Sequence, residues 1–335
     1  MRMRSFLILA AVTVAVTGAA VLTVIGGTKP HSEVAAAGPV LPGLADHLGD
    51  VAAVVVREEG RTLTVHRVAD GWALAEYADY PAKVDKVREV VRALVQLEKV
   101  EAKSARADRW ARLSVEDVGA PGAKSKEVIL RNAAGEAVAQ LIVGKSGSGT
   151  GGENSTYVRV PGDGQAWLAR GTVAVDATPG DWVERRLFDV PAADVRQIRI
   201  VHPDKSTLTI VREDSGGFRV AELPAKDKDK LKRADLVDQI VEVPGDVSLD
   251  DLARLDAAKF PADGTTRVSV TRNDGTVISF DVAGQGDERW LRFADGKLPA
   301  GLPAVAAEMA FRVPVWKVSP LDHKLAELLA APPPS

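Results

Sequence analysis

No cysteine occurs anywhere in the 335 residues. Disulfides, thiolate metal sites, a cysteine nucleophile and a cysteine-borne bacterial lipid anchor are thereby excluded. Histidine is nearly as scarce: His31, His47, His66, His202 and His323 lie far apart and form no metal-ligand spacing. No metal and no cofactor is therefore expected. Neither sign of charge dominates, with 43 Lys and Arg against 46 Asp and Glu and a net charge of −3. The strongly basic face that a nucleic acid requires is missing. Aromatic residues make up only 5% of the chain. The six tryptophans, Trp72, Trp110, Trp167, Trp182, Trp290 and Trp316, are dispersed, which favours core packing over an aromatic platform for a ligand.

Familiar catalytic signatures are lacking too. Gly144-Lys145-Ser146 resembles the end of a phosphate-binding loop, but the glycine required five residues before Gly144 is Ala139, and Gly and Ser follow where a helix should begin. A flexible hairpin loop is the expectation there. Ser146 and Ser148 each lack a flanking glycine of the nucleophile elbow. No pair of carboxylates stands out for glycoside cleavage. Asn154-Ser155-Thr156 is a glycosylation sequon only in a host that glycosylates. No catalytic residue is assigned.

One long apolar run is present. Phe6–Ile25 is uncharged, and as a helix it reaches roughly 30 Å, the thickness of a hydrocarbon core. Arg2 and Arg4 precede it and only Lys29 closely follows, which keeps the N-terminus in the cytoplasm and the bulk of the chain periplasmic or otherwise extracytoplasmic. A removed signal peptide is the alternative, with Ala35-Ala36-Ala37 as a cleavage site beyond an unusually long apolar run. Ala11, Ala15 and Ala19 recur at the spacing that lets a second transmembrane helix approach, although alanine is abundant throughout. The expected organisation is an N-terminal segment and anchor over 1–25 and a flexible Gly/Pro/Ala tether over 26–49. Module A follows over 50–190, module B over 191–325, and a disordered Pro-rich tail over 326–335.

Two modules are expected because the chain repeats itself. Thr62-Leu63-Thr64-Val65 and Arg67 correspond to Thr207-Leu208-Thr209-Ile210 and Arg212. Trp72–Glu76 corresponds to Phe218–Glu222, and Arg109–Leu113 to Asp251–Leu255. Val128-Ile129-Leu130, Gly135 and Gly144 meet Val268-Ser269-Val270, Gly275 and Gly284 without a gap, and Tyr157-Val158-Arg159 meets Trp290-Leu291-Arg292. Glu76 and Glu222 recur at matching positions, which suits a structural role at a strand end better than twin active sites.

Within module A, β-branched residues and glycine turns predict a three-stranded meander over Val54–Val56, Thr62–Arg67 and Trp72–Glu76. Pro81 opens a predicted helix whose apolar stripe is Val84, Val87, Val90, Val91, Leu94 and Leu97, with Lys83, Lys86, Arg88 and Arg92 on a solvated face. Hairpins are expected around Asn132–Gly135 and Pro161–Gly164. Module B follows the same plan with a weaker helix that starts in the charge run Lys226–Lys232 and carries Leu231, Leu236 and Ile240. The predicted fold is α+β: two tandem related modules, each a mainly antiparallel sheet with one principal helix on a face, behind an N-terminal transmembrane helix.

Leu41-Pro42-Gly43-Leu44, Thr62–Val65 with Asp70-Gly71-Trp72, and Tyr80-Pro81-Ala82 before a helix resemble the bacterial family called domain of unknown function 4340. Leu141–Lys145 followed by Tyr157-Val158-Arg159, and Trp182 with Arg185-Arg186-Leu187, fit the same pattern. The resemblance spans most of residues 40–320 and carries little chemical specificity. It implies a membrane-anchored protein with no established activity, often beside ABC-type transporters similar to gliding-motility auxiliary systems, and no catalytic residues. The functional expectation is an accessory or scaffold protein of a membrane complex, without catalysis of its own. The alternatives are an envelope glycan- or lipid-binding protein using a groove between the modules, and a hydrolase.

Overall fold

The computed structural model describes residues 38–147, 154–256, 259–284 and 286–330. The predicted transmembrane helix, with Ala11, Ala15 and Ala19, lies outside the described residues. Among these, no helix is long and apolar enough to cross a membrane. The fold mixes α and β, with mostly antiparallel sheets and few helices.

Strands β1 (Ala53–Glu58), β2 (Arg61–Val68), β3 (Gly71–Leu74), β4 (Tyr80–Ala82), β5 (Glu98–Ala102), β6 (Lys126–Arg131), β7 (Ala137–Ser146), β8 (Ser155–Arg159) and β9 (Ala166–Arg170) make the first sheet. Their spatial order is β4-β3-β2-β1-β6-β7-β8-β9-β5. After β10 (Arg186–Phe188) come β11 (Val195–Val201), β12 (Thr207–Arg212), β13 (Phe218–Val220), β14 (Val247–Ser248), β15 (Asp251–Arg254), β16 (Thr265–Arg272), β17 (Val277–Ala283), β18 (Arg289–Phe293) and β19 (Met309–Val313). The second sheet runs β13-β12-β11-β16-β17-β18-β19-β15, while β10 and β14 pair separately. Apart from β4, every strand of the first sheet has a counterpart at the same place in the second.

Register follows the alternation in the sequence. Val54 and Val56 of β1 pair with Val65 and Leu63 of β2 and with Leu130 and Val128 of β6, and all six are buried on one face. Helix α1 (Val84–Gln96) covers that face with Val87, Val90 and Leu94. The opposite face carries a smaller cluster of Ile142, Tyr157 and Leu168 under Trp110 and Leu113. In the second sheet Ala283, Ala310 and Trp290 are covered in the same way by Phe260. Helix α2 (Ala234–Glu242) buries Leu236, Val237, Ile240 and Val241. Two short helices, α3 (Val315–Val318) and α4 (Leu325–Leu329), end the described chain, and Leu328 is fully buried.

Several expectations need correction. Pro81 does not open α1. It lies in β4, paired with Ala73, and the helix starts three residues later. Arg109–Leu113 and Asp251–Leu255 are not equivalent: the former falls in a 3-10 helix (Ala107–Arg112), the latter in edge strand β15, whose counterpart is β5. Gly144-Lys145-Ser146 ends strand β7 and is not a loop. The charge run Lys226–Lys232 does not lead straight into α2, which begins at Ala234. The stretch read as a tether is packed from Gly38 onward. Pro39 bridges to Glu98, the Val40 N–H donates to the Leu97 carbonyl at 2.8 Å, and Val40 and Leu44 are buried.

The two sheets share one hydrophobic core. Phe188, Phe280, Phe293 and Phe311 form a chain of rings 5.4–6.1 Å apart, and Phe311 meets Tyr80 of the first sheet edge to face at 6.3 Å. The connecting segment is buried through Trp182, whose carbonyl accepts the Lys83 N–H at 2.7 Å and whose indole donates to the Asp176 carbonyl. Gly180 lies so close to the chain before β15 that a Cβ there would stand 2.1 Å from the Asp250 carbonyl oxygen.

Candidate functional site

The polar residues that recur between the halves do structural work. The Glu76 carboxylate accepts the Thr64 N–H at 2.9 Å, and the Glu222 carboxylate accepts the Thr209 N–H at the same distance. Arg67 donates to the Val51 carbonyl and lies over Trp72, while Arg212 donates to the Val195 carbonyl and lies over Phe218. Arg159 is buried, donates to the Val115 carbonyl and the Asp117 carboxylate, and stacks on Trp110. Its counterpart Arg292 stacks on Phe260 and shares the buried Asp281 carboxylate with Arg267. Gly144 is required because a Cβ would meet the Leu113 carbonyl at 2.3 Å, a close backbone approach unrelated to phosphate.

A cavity of about 360 Å³ opens beside Asp281, lined by Lys205, Arg267, Arg292 and His202 among others. His202 is buried with its Nε2 lacking a hydrogen-bond partner. Burial, reinforced by the Lys324 ammonium, pushes its pKa below the ordinary histidine value against the pull of Asp204, Asp322 and Glu327. Among the described residues no three His, Asp or Glu side chains cluster as metal ligands.

A roomier site lies on the first sheet. A groove of about 480 Å³ runs between α1 and the β2–β3 corner. It exists because one flank of the apolar stripe of α1 is left partly uncovered. Val87, Val90 and Leu94 face the sheet, whereas Val84, Val91 and Val95 are only half-buried. Trp72 and Leu48 complete the apolar wall, and Leu48 is 39% exposed. Three guanidiniums rim the groove, those of Arg67, Arg88 and Arg92, and among the described residues no carboxylate lines it. Arg88 pairs with Asp85 at 3.2 Å, both well exposed. Arg92 has no hydrogen bond or ion pair among the described residues. Chemically the groove can hold an apolar body and an anionic group, but it contains no acid–base pair or nucleophile. Arg88 and Arg92 were expected only to be solvated. Their alternation with valine at 84, 88, 91, 92 and 95 is the signal that one flank of the stripe is both apolar and cationic.

The family model described as "Domain of unknown function (DUF4340)" matches residues 72–270. No curated protein matches the chain, and no solved structure does.

Proposed function

The chain belongs to the DUF4340 family, and from that premise we propose that it is a membrane-anchored extracytoplasmic accessory or scaffold subunit of a membrane complex, with ABC-type transporter subunits as partners and no catalysis of its own. In this reading residues 6–25 hold the chain in the cytoplasmic membrane with the N-terminus inside. The two sheets are copies of one module, each with a principal helix, joined by one shared core. The shared core and the structural use of Glu76, Glu222, Arg67 and Arg212 support a scaffold.

The observation that carries the reading is Trp316. It is 75% exposed on α3, and the Lys317 ammonium stands 5.9 Å from its ring. Tryptophan is enriched among the residues that anchor protein–protein interfaces. The test is cross-linking in cells followed by purification in mild detergent. Membrane-protein partners are expected with the wild-type chain, and Trp316→Ala should reduce their recovery severalfold. A solitary monomer would overturn the proposal. Uptake of a glycan or lipid between the modules is less well supported, because Tyr80, Phe311 and Trp182 fill that junction.

A further inference from the structure

We propose that the groove beside α1 binds a single free fatty acid, with its acyl chain along the valines and Trp72 and its carboxylate on the arginine rim. This goes beyond the accessory-subunit reading and does not depend on it.

Size, polarity and charge converge on that ligand. A volume of about 480 Å³ lies within the roughly 300–1,000 Å³ of small-molecule pockets. Docking a protein would require burial of about 800 Å² on each side, whereas this groove is bounded by one helix of 13 residues, about 20 Å long. That length accommodates an extended acyl chain. The floor is apolar through Val51 and Val87, and the exposed parts of Leu48, Val84, Val91 and Val95 would leave water on binding. Arginine stems can line such a surface while their heads reach a polar group at its edge.

The cationic rim selects the head group. Of the three guanidiniums, Arg88 is offset by Asp85, and Arg67 is held by the Val51 carbonyl and the Trp72 ring. Arg67 keeps its charge but its donors are turned to those groups, so Arg92 is the guanidinium with no hydrogen bond or ion pair among the described residues. A carboxylate matches the sign of the rim, and its two oxygens fit the planar fork of a guanidinium. A cationic amphiphile would be repelled. A sugar, with many hydroxyls to satisfy, would find Gln96 and the Trp72 indole as the uncharged polar side chains among the described residues that line the groove.

The test places the full chain in nanodiscs of zwitterionic lipid and adds a long-chain fatty acid bearing a diazirine, followed by light and peptide mapping. Labelling is expected on peptides containing Trp72 and Val84–Gln96. The double variant Arg88→Gln/Arg92→Gln should lower it about tenfold, and Trp316→Ala should leave it unchanged. Both arginines are exposed, so the variant should keep the wild-type melting temperature. Equal labelling by the fatty alcohol of the same chain length would overturn the proposal, because the head would then be unread. Labelling elsewhere, or labelling indifferent to the double variant, would do the same. If only a diazirine-bearing anionic phospholipid within the nanodisc labels the groove, the site is a membrane contact and the proposal fails. If the double variant abolishes a cross-linked protein partner while fatty-acid labelling persists, the arginines serve a protein and the proposal fails likewise. Loss of partners on Trp316→Ala tests the accessory reading separately.

Discussion

The carboxylate of Glu76 accepts the backbone N–H of Thr64 at 2.9 Å, tying the end of the β3 region back to the middle of β2. Glu222 does the same for Thr209 in the other sheet. The sequence match between these glutamates thus reflects one repeated backbone contact.

Glu76→Ala and Glu222→Ala should each destabilise the protein by about 0.5–1 kcal/mol. That is below the roughly 1.5–3 kcal/mol of a hydrogen bond to a charged group, because both carboxylates are exposed and screened by water. The sites are in different sheets, so the double variant should show the sum of the two losses. Urea unfolding measures this. A double variant much weaker than the sum would mean that the two contacts are coupled.

Gly180→Ala probes the junction between the sheets. Its Cβ would stand 2.1 Å from the Asp250 oxygen, and both partners are backbone, so the connecting segment must move. Overpacking of this kind costs about 1–3 kcal/mol or more. Gly49→Ala is the control, since nothing lies within 4 Å of its Cβ position. Chemical denaturation should give a midpoint near wild type for Gly49→Ala and a clearly lower one for Gly180→Ala.

Much of this architecture is legible locally. The hairpins announce themselves through β-branched runs around glycine turns, and α1 through the three- and four-residue spacing of its valines and leucines. Other features have no local signal. Strand β5 reads Glu-Lys-Val-Glu-Ala, without a clean alternation, and it is a strand because Glu98–Ala102 reaches across to β9 some 70 residues later. Pro81 looks like a helix start, yet an open edge beside β3 recruits Tyr80–Ala82 first. The groove was hidden for a similar reason. Periodicity shows that α1 has an apolar stripe, but how much of that stripe stays uncovered depends on which elements pack beside the helix. Trp316 belongs to the same class, since nothing around it in the chain distinguishes an exposed tryptophan from the buried Trp182.

The Arg267–Asp281–Arg292 cluster gives a third expectation. Asp281 is 1% exposed and accepts from Arg267 at 2.8 Å and from Arg292 at 3.0 Å. Removing one partner of a fully buried ion pair costs about 3–5 kcal/mol. Arg267 is half-exposed and water can replace part of the loss, so Asp281→Ala should cost about 2–3 kcal/mol. Substituting Arg267 should cost less than substituting Arg292, whose side chain is the less exposed of the two and also packs on Phe260. Thermal unfolding of the three variants tests that order.

Tyr80 links the sheets through Phe311, and its burial has a consequence at high pH. Burial pushes the phenol up to about 12 from the ordinary 10.0, because the phenolate would lose its water. Between these values the folded chain keeps the proton while the unfolded chain gives it up. The unfolded state therefore binds fewer protons, and stability falls as pH rises through that window. The stabilising contribution is complete below pH 10, and by about pH 12 roughly 2–3 kcal/mol of it is gone. Tyr77 titrates in the same direction, raised by burial and then by Asp251 and Glu76, so wild type alone does not isolate Tyr80. Tyr80→Phe does. It retains the ring that meets Phe311 at 6.3 Å and removes the titrating group. Urea midpoints measured from pH 9 to 12 should fall less steeply in Tyr80→Phe than in wild type. Parallel slopes would show that the hydroxyl reaches water and that the contact between the sheets is looser than the packing of Tyr80 against Phe311 implies.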